Sequence, residues 1–492
     1  MGAVAVSPVA ASDGQVSDIV GLDAVALRRA ILSRKISCVE VMNAYLNRID
    51  EVNPGVNAVV ALQDRPSLLK QAEWHDRQLL RHEAVGVLHG FPHAVKDLTA
   101  VAGLPFTQGS PIFKDRVADA DALQAERLRR AGVIFIGKTN TPEFGLGSHT
   151  FNSVFGLTRN AYDRSKSAGG SSGGAAVALA LRMVPLADGS DYGGSLRNPA
   201  GWNNVYGFRT SVGRVPVTGP DVWLPSMGVT GPMARNVDDL ALLLAIQAGF
   251  DPQAPLSLDG SGAQFAEQLR ADMKGKKVAW AGDLKGAVPY EAGVLDVCGA
   301  ALADLKAIGC EVEEASPDYP IDKLWDSFVR LRGWQQGGSI LAHYRDPRRR
   351  ALLKPEAIYE VEQGLALSAF DVTSYSAIRT EWSQAVRRFF ERYDFWIMPT
   401  AQTFPFAAED RWPSRIAGHE MRTYHEWMKA VCLVSMSGCP ALAAPAGFSV
   451  NGLPMGIQII GPVHAELACL RLAHAYEAAS RTRVSRHPPL VS

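Results

Sequence analysis

Apolar and polar positions along the chain alternate between helical and strand-like patterns. Ser37 and Glu40 have the spacing of a capping box, and the apolar residues that follow lie on one side of a helix. A second helix is predicted over residues 122–131, a buried strand over 133–136 and a third helix over 175–181. This order of elements predicts an α/β fold with a largely buried mixed sheet.

Helical patterns persist between about residues 251 and 391, as over 294–308 and 375–390. We therefore expect a helical covering layer in this region. Large aromatic residues at helical spacing usually belong to a core, and the alternative is that they line a substrate channel. The residues to which this choice applies are Trp325, Trp334 and Trp382.

Composition and charge exclude several classes of protein. The chain has 492 residues, of which 47% are hydrophobic, so it can bury a large core. Its formal net charge is zero, which gives no basic surface for nucleic acid. No apolar run reaches the roughly 18 residues of a membrane-spanning helix, and no secretory signal pattern stands at the start. We expect a cytoplasmic protein that binds neither nucleic acid nor membrane, and homo-oligomers are left open.

Metal and cofactor chemistry has no candidate motif. The six cysteines form no C-x-x-C pair, and the eleven histidines form no H-E-x-x-H motif. The cysteines are expected to be reduced and mostly buried. No metal site and no cofactor are predicted.

Two glycine-rich segments, residues 169–174 and 191–200, carry serines that suggest acyl transfer. Glycine has no Cβ and tolerates positive φ, so such turns can bring successive backbone N–H groups towards one oxyanion. Ser171 lies in the first segment and Ser195 in the second. A serine hydroxyl is a weak nucleophile without a base, so a proton acceptor has to be found elsewhere in the chain.

Lys96 is the candidate for that proton acceptor. It lies in the mostly apolar segment 86–98, which Gly90 and Pro92 interrupt, and this pattern predicts a buried strand entered through a turn. Burial disfavours the ammonium form, and a neutral lysine can act as a general base near neutral pH. The alternative is a surface lysine, or one paired with a carboxylate such as Asp97.

Together these segments resemble the motifs of the amidase signature family. Their order and spacing agree over nearly the whole chain, so we expect one domain over residues 1–492 with a more variable helical region around 251–391. The resemblance also implies that helices cover both faces of the mixed central sheet. The matching segments are 90–97, 137–144, 169–174, 191–200, 231–235, 398–401, 438–441 and 452–458.

The resemblance implies a role for each member of a Ser-Ser-Lys triad. Ser195 would be the nucleophile, Ser171 the bridging serine with an unusual cis peptide bond, and Lys96 the base. Lys96 would take the proton of Ser171 while Ser171 takes that of Ser195. The same relay in reverse would protonate the leaving amine.

Substrate contacts are also implied by the resemblance. Gly145 is expected near the bound acyl group. Tyr192 stands where many relatives have a smaller residue, and Trp202 adds bulk after the second glycine-rich segment. Either residue would narrow the acyl pocket, and the alternative for Tyr192 is a buried support with a paired hydroxyl. The oxyanion would be met by backbone N–H groups among Tyr192, Gly193, Gly194 and Ser195.

Rival motifs point to other chemistries. Residues 169–173 also satisfy the G-x-S-x-G pattern of an α/β-hydrolase, which would make Ser171 the nucleophile. Residues 67–70 match S-x-x-K, but no S-D-N or K-T-G motif follows. The glycine-rich run lacks the G-K-[ST] ending of a phosphate-binding loop, so nucleotide binding is not expected.

The leading hypothesis is a cofactor-independent amidase that cleaves a small-molecule or aryl amide through a seryl acyl-enzyme. One alternative is the glutaminase component of an amidotransferase, which would feed ammonia to partner proteins. A second is an ester or carbamate hydrolase with the same site. A third is a binding protein without catalysis, against which the presence of all three relay residues argues.

Overall fold

The computed structural model describes residues 19–224 and 226–491. The strands are β1 Val59–Val60, β2 Pro92–Lys96, β3 Ile134–Thr139, β4 Phe151–Asn152, β5 Gly156–Leu157, β6 Ala187–Asp191, β7 Tyr206–Arg209, β8 Val229–Ala234, β9 Lys277–Trp280, β10 Glu311–Glu314, β11 Phe395–Pro399, β12 Arg415–Ile416, β13 His419–Glu420, β14 Ala441–Phe448 and β15 Pro454–Ile460. The helices are α1 Ala24–Leu32, α2 Cys38–Val52, α3 Arg65–Leu80, α4 Leu123–Arg130, α5 Gly173–Ala180, α6 Arg197–Trp202, α7 Val237–Gln247, α8 Gln264–Glu267, α9 Val294–Ala307, α10 Ile321–Arg345, α11 Pro347–Arg350, α12 Pro355–Leu365, α13 Ala369–Phe389, α14 Lys429–Ser437 and α15 Glu466–Val484.

The largest sheet of this part of the chain has eight strands in the order β10-β9-β11-β15-β14-β7-β8-β6. The pairs β10/β9 and β9/β11 are parallel, and the remaining neighbours are antiparallel. A second sheet, β1-β3-β2, pairs β2 and β3 in parallel, and β2 packs against β6. The predicted α/β fold, with a mixed central sheet and helices on both faces, is confirmed.

Small side chains at the centre of the large sheet let helices approach it closely. Strand β14 has the sequence ALAAPAGF, and α6, α9 and α15 pack on it. The register of β14 against β15 shifts between Pro445 and Gly447, where a β-bulge interrupts the regular pairing. Large aromatic residues fill the remaining space, and those that are fully buried include Trp202, Trp382, Trp396 and Trp427.

Several predicted element boundaries agree with the structure. The capping box of α2 is present, since the Ser37 hydroxyl accepts from the Glu40 N–H and the Glu40 carboxylate accepts from the Ser37 N–H. Strand β3 continues to Thr139 and does not end at Gly137 as predicted. Helix α13 begins six residues before the predicted 375–390 segment, because Ser368 and Asp371 form a second capping box there.

The segment from 251 to 391 contains strands as well as the expected helices. Strands β9 and β10 extend the large sheet at one end, so the segment does more than cover it. The outer strand, β10, has the sequence EVEE and is mostly exposed, and charged side chains of this kind protect a sheet edge from unwanted pairing. Trp382 belongs to the core, where its indole N–H donates to the Leu433 carbonyl at 3.0 Å.

Membrane insertion has no structural candidate in residues 19–224 and 226–491. Within that part, no helix is both long enough and apolar enough to cross a bilayer.

Packing between β7 and α6 leaves no space for a side chain at Gly207. A Cβ at this position would overlap the carbonyl oxygen of Leu196, which is backbone and cannot rotate away. We expect Gly207→Ala to lower the free energy of unfolding by about 1–3 kcal/mol, as measured by urea denaturation. Gly299→Ala is the matched control, since a Cβ there meets no atom within 4 Å and alanine favours the helix by up to about 1 kcal/mol. Equal stability of Gly207→Ala and the unmodified protein would contradict this packing.

Candidate active site

The Lys96 side chain lies in the interior, among three serine hydroxyls. It ends strand β2 and is 1% exposed, which confirms the predicted buried strand. Its Nζ lies 2.8 Å from Ser171 Oγ, 2.8 Å from Ser172 Oγ and 3.0 Å from Ser190 Oγ. Hydroxyls can donate as well as accept, so this environment can satisfy a neutral amine with one lone pair.

Burial changes the acidity of this lysine. It lowers the pKa of Lys96 from 10.5 to about 7, against the opposing effect of the Asp188 and Asp191 carboxylates. Desolvation therefore outweighs the two negative charges. A lysine with a pKa near 7 is partly neutral at neutral pH and can accept a proton there. The alternative of an exposed surface lysine is wrong.

Ser171 and Ser195 lie on the two glycine-rich segments, which contact each other through the backbone. The peptide bond between Gly170 and Ser171 is cis. The Ser172 N–H donates to the Ser195 carbonyl at 3.2 Å. Ser171 is 2% exposed and Ser195 is 8% exposed. The side-chain hydrogen bonds of the described residues join Lys96 to Ser171 but include none between the two serine hydroxyls.

The turn that carries Ser195 is held by a buried carboxylate. Asp191 ends β6 and accepts from the Gly194 N–H at 2.9 Å and the Leu196 N–H at 3.1 Å. Arg197 and Arg209 also donate to it, and all three charged side chains are fully buried. Burial alone would raise the pKa of Asp191, but the two guanidinium groups hold it well below its usual range. The carboxylate is therefore charged and fixes the turn in one conformation.

One of the four backbone N–H groups expected to meet the oxyanion has an acceptor within the protein. The Gly194 N–H donates to Asp191, so it is not free to meet a substrate oxyanion. In the described ranges, no protein acceptor is found for the backbone N–H groups of Tyr192, Gly193 and Ser195. These three groups are the donors that the turn leaves available.

Gly145 lies beside the candidate bridging serine, at the end of a short 3₁₀ turn from Glu143. A Cβ at this position would lie 3.4 Å from Ser171 Oγ and 2.7 Å from Leu98 Cδ1. Its φ of +69° is also one that residues other than glycine rarely adopt. Glycine here keeps the space next to Ser171 open.

The two bulky residues singled out in the sequence have different surroundings. The Tyr192 hydroxyl donates to Gln335 Oε1 at 2.8 Å, which agrees with the alternative of a paired hydroxyl. Trp202 is fully buried, and its ring stacks on Trp427 with the centroids 5.5 Å apart. The expectation that Trp202 narrows an acyl pocket is wrong, because it belongs to the core behind the glycine-rich turn.

In residues 19–224 and 226–491, no group of three or more His, Cys, Asp or Glu side chains is placed to hold a metal ion. All six cysteines are buried and unpaired.

Comparisons with known proteins identify the family. Residues 40–470 match the sequence profile of the family described as Amidase. The chain belongs to the amidase signature family. It is 34% identical over 460 residues to an acylamidase of Rhodococcus erythropolis, with coverage of 93% of this chain and 95% of that relative. It is 33% identical over 486 residues to a glutamyl-tRNA(Gln) amidotransferase subunit from Cyanothece sp., with coverage of 94% and 99%.

Solved structures of the amidase signature family have the same fold. A bacterial aryl acylamidase superposes with a TM-score of 0.88 and 30% identity, over 94% of this chain and 98% of that one. The chain is therefore a hydrolase that acts on amide C–N bonds.

Sequence reasoning missed part of this amidase's site. Ser172 contacts the lysine at the same distance as Ser171, and Ser190 contacts it at 3.0 Å. Ser172 lies inside a recognised motif and Ser190 directly precedes another. Asp191 and Arg197 stood inside a recognised motif, but their mutual contact was not inferred. Arg209 carried no local signal, because its contact with Asp191 depends on the pairing of distant strands.

The lowered pKa of Lys96 predicts a pH dependence of stability. An unfolded lysine keeps its proton up to a pKa near 10.5, whereas the folded one releases it near pH 7. Between these values the unfolded state binds more protons, so stability rises with pH. Relative to Lys96→Met, the unmodified amidase should gain about 1 kcal/mol per pH unit between pH 7.5 and 9.5.

Urea denaturation at several pH values measures this slope. Comparison with Lys96→Met cancels the effect of Lys138 and Lys354, whose pKa values burial also lowers. The exposed Lys70 provides the control, and Lys70→Met should follow the pH dependence of the unmodified protein. Parallel pH curves for the unmodified protein and Lys96→Met would show that Lys96 is not neutral in the folded state.

Proposed function

We propose that this amidase cleaves a small-molecule or aryl amide through an acyl-enzyme on Ser195. Ser195 Oγ attacks the amide carbonyl carbon and passes its proton to Ser171, whose own proton moves to neutral Lys96. The carbonyl oxygen becomes an oxyanion and accepts from the N–H groups of Tyr192, Gly193 and Ser195. The attack forms the C–O bond and leaves Lys96 protonated.

Collapse of this intermediate breaks the C–N bond. The proton on Lys96 returns through Ser171 to the leaving nitrogen, which departs as a neutral amine. A water molecule then attacks the acyl-enzyme, and the same two residues accept its proton and return a proton to Ser195. The acid is released, and no cofactor takes part in any of these steps.

The main support for this proposal is the contact between Lys96 and Ser171. The 2.8 Å contact of Lys96 Nζ with Ser171 Oγ joins a buried lysine of pKa about 7 to the hydroxyl that has to relay the proton. The serine-to-serine step requires the two hydroxyls to come within hydrogen-bond distance once substrate is bound. Catalytic hydrogen bonds are often long in unliganded enzymes and tighten in the substrate complex.

The relatives support an aryl or other small amide as the substrate. The acylamidase and the aryl acylamidase are similar to this chain over more than nine-tenths of its length. Similarity to the amidotransferase relative is nearly as high, and it supports glutamine hydrolysis as the second candidate function. Both reactions use the same acyl-enzyme chemistry, so they differ in the substrate and in the need for partner proteins.

A fluorophosphonate probe tests the nucleophile directly. We expect covalent label on Ser195, mapped by mass spectrometry of the labelled peptide, and no label in Ser195→Ala. Turnover should fall by about 10³-fold or more in Ser195→Ala and by about 10²- to 10⁴-fold in Lys96→Ala. The control is Lys70→Ala, which removes an exposed lysine and should keep full activity. Label on Ser171 would support the nucleophile-elbow alternative and overturn the assignment.

A substrate panel separates the two candidate functions. The purified chain alone should hydrolyse an anilide such as 4-nitroacetanilide, with kcat/KM at least about tenfold above that for glutamine. Matched aryl esters and carbamates in the same panel measure how strongly the site prefers amides. Glutamine hydrolysis that appears only with partner proteins, together with no turnover of anilides, would support the amidotransferase function.

A further inference from the structure

Helix α10 holds the side chain of Tyr192 at two points. The Tyr192 hydroxyl donates to Gln335 Oε1 at 2.8 Å, and the guanidinium carbon of Arg332 lies 4.9 Å from the centre of the tyrosine ring. The ring of Phe328 lies 6.3 Å from the same ring, centroid to centroid. These three residues of α10 have i, i+4 and i+7 spacing, so they share one face of the helix.

Arg332 is itself immobilised in the interior. Its Nε donates to Glu360 Oε1 on α12 at 2.7 Å, and its Nη2 lies 3.3 Å from the Tyr424 hydroxyl. The side chains of Arg332 and Glu360 are 5% and 0% exposed. Burial alone would raise the pKa of Glu360, but Arg332 and His425 outweigh it and lower the pKa to about 2. The pair is therefore charged, and the guanidinium beneath the tyrosine ring has one fixed position.

The same helix face also contacts the backbone after Tyr192. A Cβ on Gly193 would lie 3.3 Å from Phe328 Cζ and 3.0 Å from Cys432 Sγ on α14. The peptide units at Tyr192 and Gly193 are thus enclosed by α10 and α14. Their N–H groups are two of the three that the turn leaves without a protein acceptor in the described residues.

We propose that Gln335 is a positioning residue for acyl transfer, and that it acts through the Tyr192 hydroxyl on the backbone N–H groups that bind the oxyanion. The inference rests on the proposed function, because it assumes acyl transfer to Ser195. A fixed N–H group stabilises the oxyanion more strongly than it stabilises the carbonyl of the bound substrate. Loss of the Gln335 contact should therefore lower kcat and leave KM nearly unchanged.

A double-mutant cycle tests the contact. Gln335→Leu and Tyr192→Phe should each lower kcat for 4-nitroacetanilide by about threefold to tenfold, the effect of one hydrogen bond. KM should change by less than about twofold. The double variant should be no slower than the slower single variant, because both changes remove the same interaction.

A conservative variant separates this contact from a second one made by the same amide. Gln335 Nε2 also donates to the Leu224 carbonyl at 3.3 Å. Gln335→Glu keeps an acceptor for the Tyr192 hydroxyl and removes that donor, so it should restore most of the kcat lost in Gln335→Leu. Gln336→Leu is the matched control on α10, since among the described residues the hydrogen bond from the Ser339 hydroxyl to Gln336 reaches its backbone carbonyl and not its side chain.

Two results would overturn the inference. They are an unchanged kcat in Gln335→Leu, whether or not its melting temperature falls, and additive losses in the double variant. Fluorophosphonate labelling of the unmodified protein distinguishes failure of the proposed function from failure of the role inferred for Gln335. A labelled Ser195 with full kcat in Gln335→Leu overturns this inference alone, whereas absence of label on Ser195 overturns the proposed function and this inference with it.

Discussion

The geometry of the turn that carries Ser195 depends on one buried carboxylate. Asp191 accepts from two backbone N–H groups of the turn that follows it and from the guanidinium groups of Arg197 and Arg209. These contacts join β6, α6 and β7, which are three separate elements of the fold. Removal of one partner from such a network leaves an uncompensated buried charge, which costs more than the intact network contributes. The turn that presents Ser195 is therefore tied to the sheet through this buried network.

The Asp191 carboxylate also acts on Lys96. A negative charge near the lysine favours its ammonium form and raises its pKa. Burial outweighs this effect of Asp188 and Asp191, so the pKa of Lys96 falls to about 7. One buried carboxylate thus both holds the turn that carries Ser195 and opposes, without reversing, the effect of burial on Lys96.

Local sequence signals predicted local structure well. The apolar segment around Lys96 predicted its burial, and the capping box at Ser37 predicted the start of α2. Strands β9 and β10 were missed because each is four residues long, and because β10 is mostly glutamate and has the pattern of a solvated surface. Their pairing with β11 joins segments far apart in the chain, and hydrophobic periodicity carries no information about such partners.

The candidate site shows the same division between local and distant information. The serines and the lysine stand in motifs that the sequence displays directly. Which backbone N–H groups of the turn at Ser195 are available depends on which of them already donate to acceptors within the protein. Only the contact with Asp191 removes Gly194 from those donors, and the motif alone does not reveal it. The support of Tyr192 by Gln335 comes from α10, within the segment that was expected only to cover the sheet. Changes in that segment can therefore alter the turn that carries Ser195, since one face of α10 contacts this turn directly.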